Sequence, residues 1–334
     1  MGQLHPASVG RGDGMTVIAS GGSGFSEGSS GSQHVVELVE VGPRDGFQSI
    51  EAFIPTDVKI DIVKRLHDSG LRRIEITSFV SERALPQMAD ASALVAAARE
   101  LPDLDAQILV PNARYAQRAL SAGAAHFSCF ISASERHNAA NIKRARHESI
   151  EDYRDILSLV PSDGPVRFNV STAFDCPFDG TVPEGDVYWL LDRALSLRSD
   201  VEVALCDTTG RADPVQVRKL FRAAASRYPD VRRWAFHGHD TYGLGAANAL
   251  AAFDAGVRVF DAAVAGTGGC PFAPGATGNV ATEDLVWMFD RMGVWNGVDN
   301  GMLVPLADRV AQLEGAQVGG RVRTAMVARA HLCA

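Results

Sequence analysis

The feature that most constrains the fold is a repeated alternation of short β-type segments and longer amphipathic segments, which runs from residue 34 to about residue 292. The first predicted strand, 34–41, ends before Pro43, because proline cannot donate to a strand ladder. A predicted helix over 56–69 follows it, with apolar side chains at helical spacing. The same pattern predicts strands over 73–79, 106–110, 126–131, 166–172, 201–206, 233–237 and 257–264, and helices over 90–100, 112–122, 148–160, 184–198, 214–227, 243–255 and 281–292.

Eight strand–helix units in about 260 residues predict an α/β fold, a (β/α)8 TIM barrel whose functional residues lie at the C-terminal ends of the strands. An open doubly wound sheet is the competing fold. It usually carries GxGxxG after the first strand, whereas this chain reads Gly-Pro-Arg-Asp-Gly over 42–46. We therefore predict a catalytic barrel over 34–300 and a C-terminal helical extension over 301–334 that packs on it.

Residues 1–33 differ in kind from the rest. Two Gly/Ser-rich runs lie among few large apolar groups, so we predict a disordered tail. The segment has no apolar stretch of the secretory type, and Arg11 is its only Lys or Arg, which makes it a poor organellar transit peptide. Met15 is an alternative start to Met1.

Composition excludes some classes of function. The formal charge of −8 argues against nucleic acid as a partner, since a phosphate-backbone binder needs a basic face. The chain contains no run of 18 apolar residues, so no membrane span is predicted. The five cysteines are odd in number and form no CxxC pair, which favours a reducing cytoplasm over a disulfide framework.

Several polar residues lie where predicted strands end or face the barrel interior. Glu75 has apolar neighbours on both sides, so we expect it to point into the lumen. His237 and His239, two positions apart at the end of the seventh strand, face the same side. A glycine-rich loop after the eighth strand contains Cys270 and leads to Asn279. Taken alone, a His-x-His pair more often has a structural role, and Cys270 is typical of a small buried thiol. The placement of these residues at or after strand ends favours a metal-binding or catalytic role.

A mixed set of nitrogen and oxygen donors at one rim is typical of a divalent-metal site. The oxygen content favours Mg²⁺ or Mn²⁺ over structural Zn²⁺, and leaves Zn²⁺, Co²⁺ and Fe²⁺ open. The candidate ligands are Asp45, His237, His239 and Asn279.

Together the motifs resemble those of the hydroxymethylglutaryl-CoA lyases, members of a metallolyase superfamily of barrels. The resemblance covers about residues 35–332, and its most specific element is the cysteine loop. Arg-Asp-Gly-x-Gln and His-x-His alone also fit isopropylmalate and homocitrate synthases, but those usually carry a regulatory region and lack this loop. The matching segments are 39–48, 74–81, 86–88, 237–243 and 268–271.

The resemblance implies cleavage of 3-hydroxy-3-methylglutaryl-CoA to acetyl-CoA and acetoacetate, a retro-Claisen reaction of leucine degradation. A homodimer is the candidate oligomeric state. The resemblance also implies a role for each matching residue. Arg44 would stabilise the developing oxyanion, Glu75 would orient Arg44 or relay protons, Asp207 would act as base or supporting partner, and Cys270 would deliver the proton to carbon. The remaining expected contacts to substrate or to the loop are Gln48, Arg167, Asn169 and Glu283.

Three departures from the family pattern leave the acyl group open. Phe-Gln-Ser-Ile over 47–50 replaces the common Leu-Gln-Asn-Glu, Ala204 replaces a serine, and Asn169 replaces a tyrosine. A citramalyl-CoA or a longer-branched glutaryl-CoA is an alternative substrate. A Claisen-condensing or aldol enzyme on the same barrel is a second hypothesis, which Cys270→Ala distinguishes because only the lyase would lose most of its activity. A non-catalytic binding module is a third, and it predicts no metal.

Overall fold

The computed structural model describes residues 35–269 and 278–333, with side chains up to residue 329. Its centre is a closed barrel of eight parallel strands, in which each strand pairs with its neighbours in chain order and the first pairs with the last. The predicted (β/α)8 barrel is therefore confirmed. The strands are β1 Glu37–Glu40, β2 Arg73–Ser78, β3 Asp105–Leu109, β4 His126–Ser132, β5 Val166–Ser171, β6 Glu202–Asp207, β7 Arg233–Gly238 and β8 Val259–Ala262.

Helices surround the barrel and follow its strands. Local sequence fixes several of their starts: α7 begins at Pro214, where the missing N–H is harmless, behind Asp213, whose Oδ1 accepts hydrogen bonds from the backbone of Val215 and Gln216. The helices are α1 Thr56–Asp68, α2 Ala91–Ala98, α3 Ala113–Ser121, α4 Glu135–Ile142, α5 Arg146–Leu159, α6 Glu184–Leu197, α7 Pro214–Arg227, α8 Gly245–Asp254, α9 Thr282–Arg291, α10 Asn300–Val310 and α11 Val322–Cys333.

One α-helix and one hairpin among the described residues were not predicted, and neither were the short helical turns Gly42–Gly46, Phe47–Ser49, Pro86–Met88 and Val264–Gly266. Helix α4 has no amphipathic period; it forms because the Ser134 side chain accepts a hydrogen bond from the His137 backbone. A short hairpin, Asp175–Cys176 with Gly180–Thr181, follows β5. The predicted strands 34–41 and 257–264 are also too long, since pairing covers only the four residues of β1 and of β8.

The α10 helix covers the barrel next to α1. Its apolar face, including Leu303 and Val310, is buried in the main core. The Asp299 backbone N–H donates to the Ser69 carbonyl at 2.7 Å, which ties the helix entry to the end of α1. Extra C-terminal helices are thus present as expected. The exact limits of the catalytic barrel, 34–300, and of the C-terminal extension, 301–334, stay predictions. The predicted tail 1–33 lies outside the described residues.

The barrel lumen holds small apolar side chains in its middle and charged groups towards both ends. Seven buried residues form a cluster separate from the main core: Val39, Val41, Ala204, Cys206, Ala235, Val259 and Ala263. At the N-terminal end of the strands, Arg73 makes a two-pronged pair with Glu202 at 2.6 and 2.8 Å. No helix among the described residues is long and apolar enough to cross a membrane.

Candidate active site

A tight turn after β1 carries the first two candidate residues. The Val41 carbonyl accepts hydrogen bonds from the backbone N–H groups of Arg44, Asp45 and Gly46 at 3.2, 2.7 and 3.3 Å. One acceptor shared by three donors winds residues 42–46 into a single helical turn. Arg44 and Asp45 are therefore fixed at the C-terminal end of the barrel, as their place after the strand predicts.

The turn also lies against the loop that follows β8. A Cβ on Gly46 would collide with Oγ1 of Thr267, so only glycine lets the two loops approach this closely. Thr267 in turn accepts a hydrogen bond through its carbonyl from Asn279 Nδ2 at 3.1 Å. Gly46 thus brings Asp45 and Asn279, which are far apart in sequence, into one site.

We expect Gly46→Ala to destabilise the protein by about 1–3 kcal/mol, because the added methyl group must displace Thr267. Urea unfolding measures this loss. The matched control is Gly185→Ala, which places its methyl group in open space on helix α6 and should be neutral or stabilising by about 0.5–1 kcal/mol. Equal stability of the two variants would show that the contact between the loops is not tight.

Four predicted metal ligands meet at this rim. Asp45, His237 and His239 are buried, and their candidate ligand atoms lie within 4.8 Å of one another. Asn279 adjoins them, since its Nδ2 donates to Asp45 Oδ2 at 2.8 Å. The backbone helps to place the histidines: the His239 N–H donates to the Asp207 carbonyl, and His239 forms a bridge with Asn279.

The cluster has the donor chemistry of a divalent-metal site. Within the described part of the chain, the buried atoms Asn279 Oδ1 and His239 Nδ1 have no hydrogen-bond partner. A buried oxygen acceptor without a partner is costly, and a cation would relieve that cost. One carboxylate, two imidazoles and an amide oxygen fit Mg²⁺ or Mn²⁺, so the residues present fit the expected ion.

The charge states of His239 and Asp45 suit metal binding. Burial and the neighbouring His237 lower the pKa of His239 to about 4, so its imidazole is neutral at pH 7, the form that binds metals. Burial would raise the pKa of Asp45, but Arg44 and the two histidines outweigh it and hold that pKa well below its usual range. Asp45 is therefore a permanent anion at the centre of the cluster.

Arg44 lies between two carboxylates. Its guanidinium contacts Glu75 Oε2 at 2.5 Å and Asp45 Oδ1 at 2.6 Å, and its side chain keeps 13% of its surface exposed. Glu75 is buried in the lumen as predicted, and its carboxylate is paired with Arg44. The result is a fixed cation beside the candidate metal site that an anionic substrate group can still reach.

The other predicted substrate contacts have partners within the protein. Gln48 donates to Asp45 Oδ1 at 2.8 Å. Arg167 is fully buried and hydrogen-bonds Asp261 and Asn169, and Asn169 also donates to the Cys129 carbonyl. A substrate role for Gln48, Arg167 and Asn169 stays a prediction.

Asp207 supports a neighbouring loop. Its carboxylate accepts hydrogen bonds from the backbone of Arg211 and Ala212 at 3.1 and 3.2 Å. Burial raises the pKa of Asp207 to about 7, the range that suits a general base at neutral pH. Both expected roles of Asp207, base and supporting partner, stay predictions. Cys270 lies outside the described residues.

Two buried glutamates lie beneath the loop after β8. Glu283 accepts from the backbone N–H of Ala265 at 3.1 Å. Glu40 accepts from the backbone of Gly42 and Val264 and from the Thr282 hydroxyl. The sequence did not single out Glu40 as a buried residue near the site. The signal that could have identified it is a charged residue between two valines in a predicted strand. Burial raises the pKa of Glu40 to about 7 and that of Glu283 to about 8.

The raised pKa of Glu283 makes stability depend on pH. The folded protein keeps a proton that the unfolded chain releases above about pH 4.5, so stability falls as pH rises towards 8 and then levels off. We expect Glu283→Gln to raise the Tm by several degrees at pH 8.5, with a gain that shrinks towards pH 5. Glu82→Gln, at an exposed surface pair, is the control and should give the same small offset at each pH. A Glu283→Gln offset that does not vary with pH would contradict the prediction.

Fold and site together define a (β/α)8-barrel enzyme with a candidate metal centre at the C-terminal ends of its strands. The HMGL-like family model matches residues 35–310, so the chain belongs to the HMGL-like family and is a carbon–carbon lyase. The cytoplasmic 3-hydroxy-3-methylglutaryl-CoA lyase of Rattus norvegicus is 38% identical over 297 residues, which cover 89% of this chain and 86% of that protein.

Solved structures agree with this membership. The hydroxymethylglutaryl-CoA lyase of Pseudomonas aeruginosa is 37% identical, with a TM-score of 0.84 and coverage of 89% of this chain and 99% of that one. An HMG-CoA lyase from Acinetobacter baumannii, in complex with coenzyme A and 3-methylmalate, is 36% identical, with a TM-score of 0.83 and coverage of 89% and 97%.

Proposed function

We propose that the protein cleaves 3-hydroxy-3-methylglutaryl-CoA to acetyl-CoA and acetoacetate, with a divalent ion, Mg²⁺ or Mn²⁺, held by Asp45, His237, His239 and Asn279. The observation that carries the proposal is the Arg44 guanidinium fixed beside this cluster of ligand-type side chains. The names of the relatives support the substrate. A bound ion would supply Lewis-acid polarisation of substrate oxygens and lower the pKa of the tertiary hydroxyl.

The chain's own groups account for the remaining steps. A base takes the hydroxyl proton, the C2–C3 bond breaks, and its electron pair collects on the thioester oxygen as an enolate. Arg44, always cationic, is placed to stabilise that oxyanion. Asp207, with a pKa of about 7, is the candidate base. Cys270 would then protonate the enolate carbon to give acetyl-CoA, a role that rests on the sequence motif.

The direct test is incubation of the purified protein with hydroxymethylglutaryl-CoA and Mg²⁺ or Mn²⁺, with and without a chelator. Acetyl-CoA and acetoacetate in equal amounts, lost with chelator and restored by metal, would support the proposal. Absence of acetyl-CoA under every metal condition would exclude this substrate.

Two lumen positions bear on which acyl group the protein accepts. Asn169 and Ala204 lie opposite each other on β5 and β6, and Ala204 belongs to the lumen cluster. Both positions depart from the family pattern, and an alanine there leaves more room than a serine. A panel that includes citramalyl-CoA and longer-branched glutaryl-CoA thioesters would therefore identify the preferred substrate through kcat/KM.

Cytoplasmic location and a homodimer remain proposals. Relatives are named both cytoplasmic and mitochondrial. Fractionation of the source cells tests the first, and sedimentation equilibrium of the purified protein tests the second.

A further inference from the structure

A line of polar contacts crosses the barrel interior and ends on His237. The Nδ1 atom of His237 lies 3.0 Å from Asp261 Oδ2. The same oxygen accepts a hydrogen bond from Nη2 of Arg167 at 2.7 Å. Asp261 belongs to β8 and is 5% exposed. Its Oδ2 atom is therefore shielded from bulk solvent and contacts His237 and Arg167.

We propose that Asp261 is a positioning residue for His237. Arg167 holds Asp261 in place, and Asp261 keeps the His237 ring in the tautomer with hydrogen on Nδ1, which leaves Nε2 available to a metal ion. The inference rests on the proposed function in that it takes the Asp45, His237 and His239 cluster to be a metal site.

The chemistry of the contact determines the tautomer. A carboxylate paired with a guanidinium offers acceptors only, so the hydrogen between Asp261 and His237 must come from Nδ1. The unshared pair of the neutral ring then lies on Nε2. A carboxylate that accepts from the second nitrogen of a metal-binding histidine fixes the ring and increases its basicity.

The position of Asp261 is itself determined by Arg167. That arginine is 1% exposed, and its nitrogens face three acceptors on three strands. Besides Asp261, Nε donates to Asn169 Oδ1 at 3.0 Å and Nη1 lies 3.4 Å from Glu202. Because a guanidinium is planar, partners in three directions leave it little freedom to move.

The alternative is that Asp261 only stabilises the barrel. The chain contains a matched case, since His126 Nδ1 contacts the Asp105 carboxylate at 2.8 Å near the opposite end of the barrel. Asp105 also pairs with an interior arginine, Arg73, at 3.4 Å. The two Asp–His pairs therefore consist of the same groups. They differ in that the Asp105 side chain is 41% exposed and Asp261 is 5% exposed, and in that the Asp261 pair is next to the metal-type cluster.

The experiment compares Asp261→Asn with Asp105→Asn in metal binding without substrate. Each change keeps the side-chain shape and removes one charge next to a histidine. Titration of the metal-free protein with Mn²⁺, followed by the electron paramagnetic resonance signal of the free ion, should give a Kd about 10–100-fold weaker for Asp261→Asn. Asp105→Asn should stay within about twofold of the wild type. An Asp261→Asn protein that binds Mn²⁺ as tightly as the wild type would overturn the proposal.

A second readout needs neither a variant nor bound metal. The ¹⁵N chemical shifts of the His237 ring in the wild-type protein should show hydrogen on Nδ1, and hydrogen on Nε2 alone would refute the inference even if Asp261→Asn fails to fold. Neither measurement uses an acyl-CoA. Failure of the proposed substrate would therefore appear in the activity assay and leave this result unaffected.

Discussion

Asp45→Asn is expected to abolish measurable binding of Mg²⁺ or Mn²⁺ and to reduce kcat/KM by about three orders of magnitude or more, the equivalent of about 4 kcal/mol. Among the residues that the structure describes, Asp45 is the one carboxylate grouped with His237 and His239. Its charge is fixed at neutral pH, and an amide in its place supplies an oxygen without that charge. Isothermal titration with Mn²⁺ and a coupled acetyl-CoA assay measure the two effects.

The control for loss of charge is Asp61→Asn on α1. Asp61 pairs with Arg65 and Arg309 at the surface, so its replacement should change neither metal affinity nor turnover by more than about twofold. If Asp45→Asn retains wild-type metal affinity, Asp45 is not a ligand and the candidate centre must be reassigned.

Arg44→Lys is expected to reduce kcat by about three orders of magnitude while the Kd for Mn²⁺ stays within about fivefold of the wild type. The guanidinium contacts Glu75 and Asp45 simultaneously, which a single ammonium group cannot reproduce. Because Arg44 acts on charge that develops in the reaction, KM should change much less than kcat. Steady-state kinetics and metal titration separate these quantities.

Two variants help to interpret the Arg44 result. Arg233→Lys, at the opposite end of the barrel, makes the same chemical change away from the candidate site and should keep near-normal turnover. Glu75→Gln removes the main partner of Arg44 and should cost kcat less than Arg44→Lys does, about 10–100-fold, if Glu75 only orients the guanidinium. Equal losses would mean that Glu75 takes part in the chemistry itself.

The alternation of segments was sufficient to predict the barrel, because each strand and most helices carry their own apolar period. Helix α4 could not be predicted in this way: it depends on the Ser134 cap, and its sequence, which is rich in His, Asn and Glu, has no apolar stripe. The lengths of β1 and β8 depend on where pairing stops, which is decided by the partner strand.

The candidate metal ligands could be predicted because parallel strands in a barrel end at one rim, so residues at the C-terminal ends of β1 and β7, the two strands that flank β8, lie close together. The supports of those ligands could not. Asp261 and Arg167 lie within strands, where sequence alone does not say which charged groups meet across the lumen. A substrate role for Arg167 stays a prediction, and the contacts that the structure shows for it are with Asp261, Asn169 and Glu202.

The pairing of β1 with β8 has a consequence for how the protein is made. Asp45 and Asn279, which hydrogen-bond each other, are separated by 234 positions, so the emerging polypeptide cannot complete this cluster until nearly the whole barrel has left the ribosome. Fragments released early would lack it. Divalent ions that bind the complete cluster would then stabilise full-length molecules and not the shorter fragments. Such ions would also link the first and last strands of the barrel and so oppose their separation.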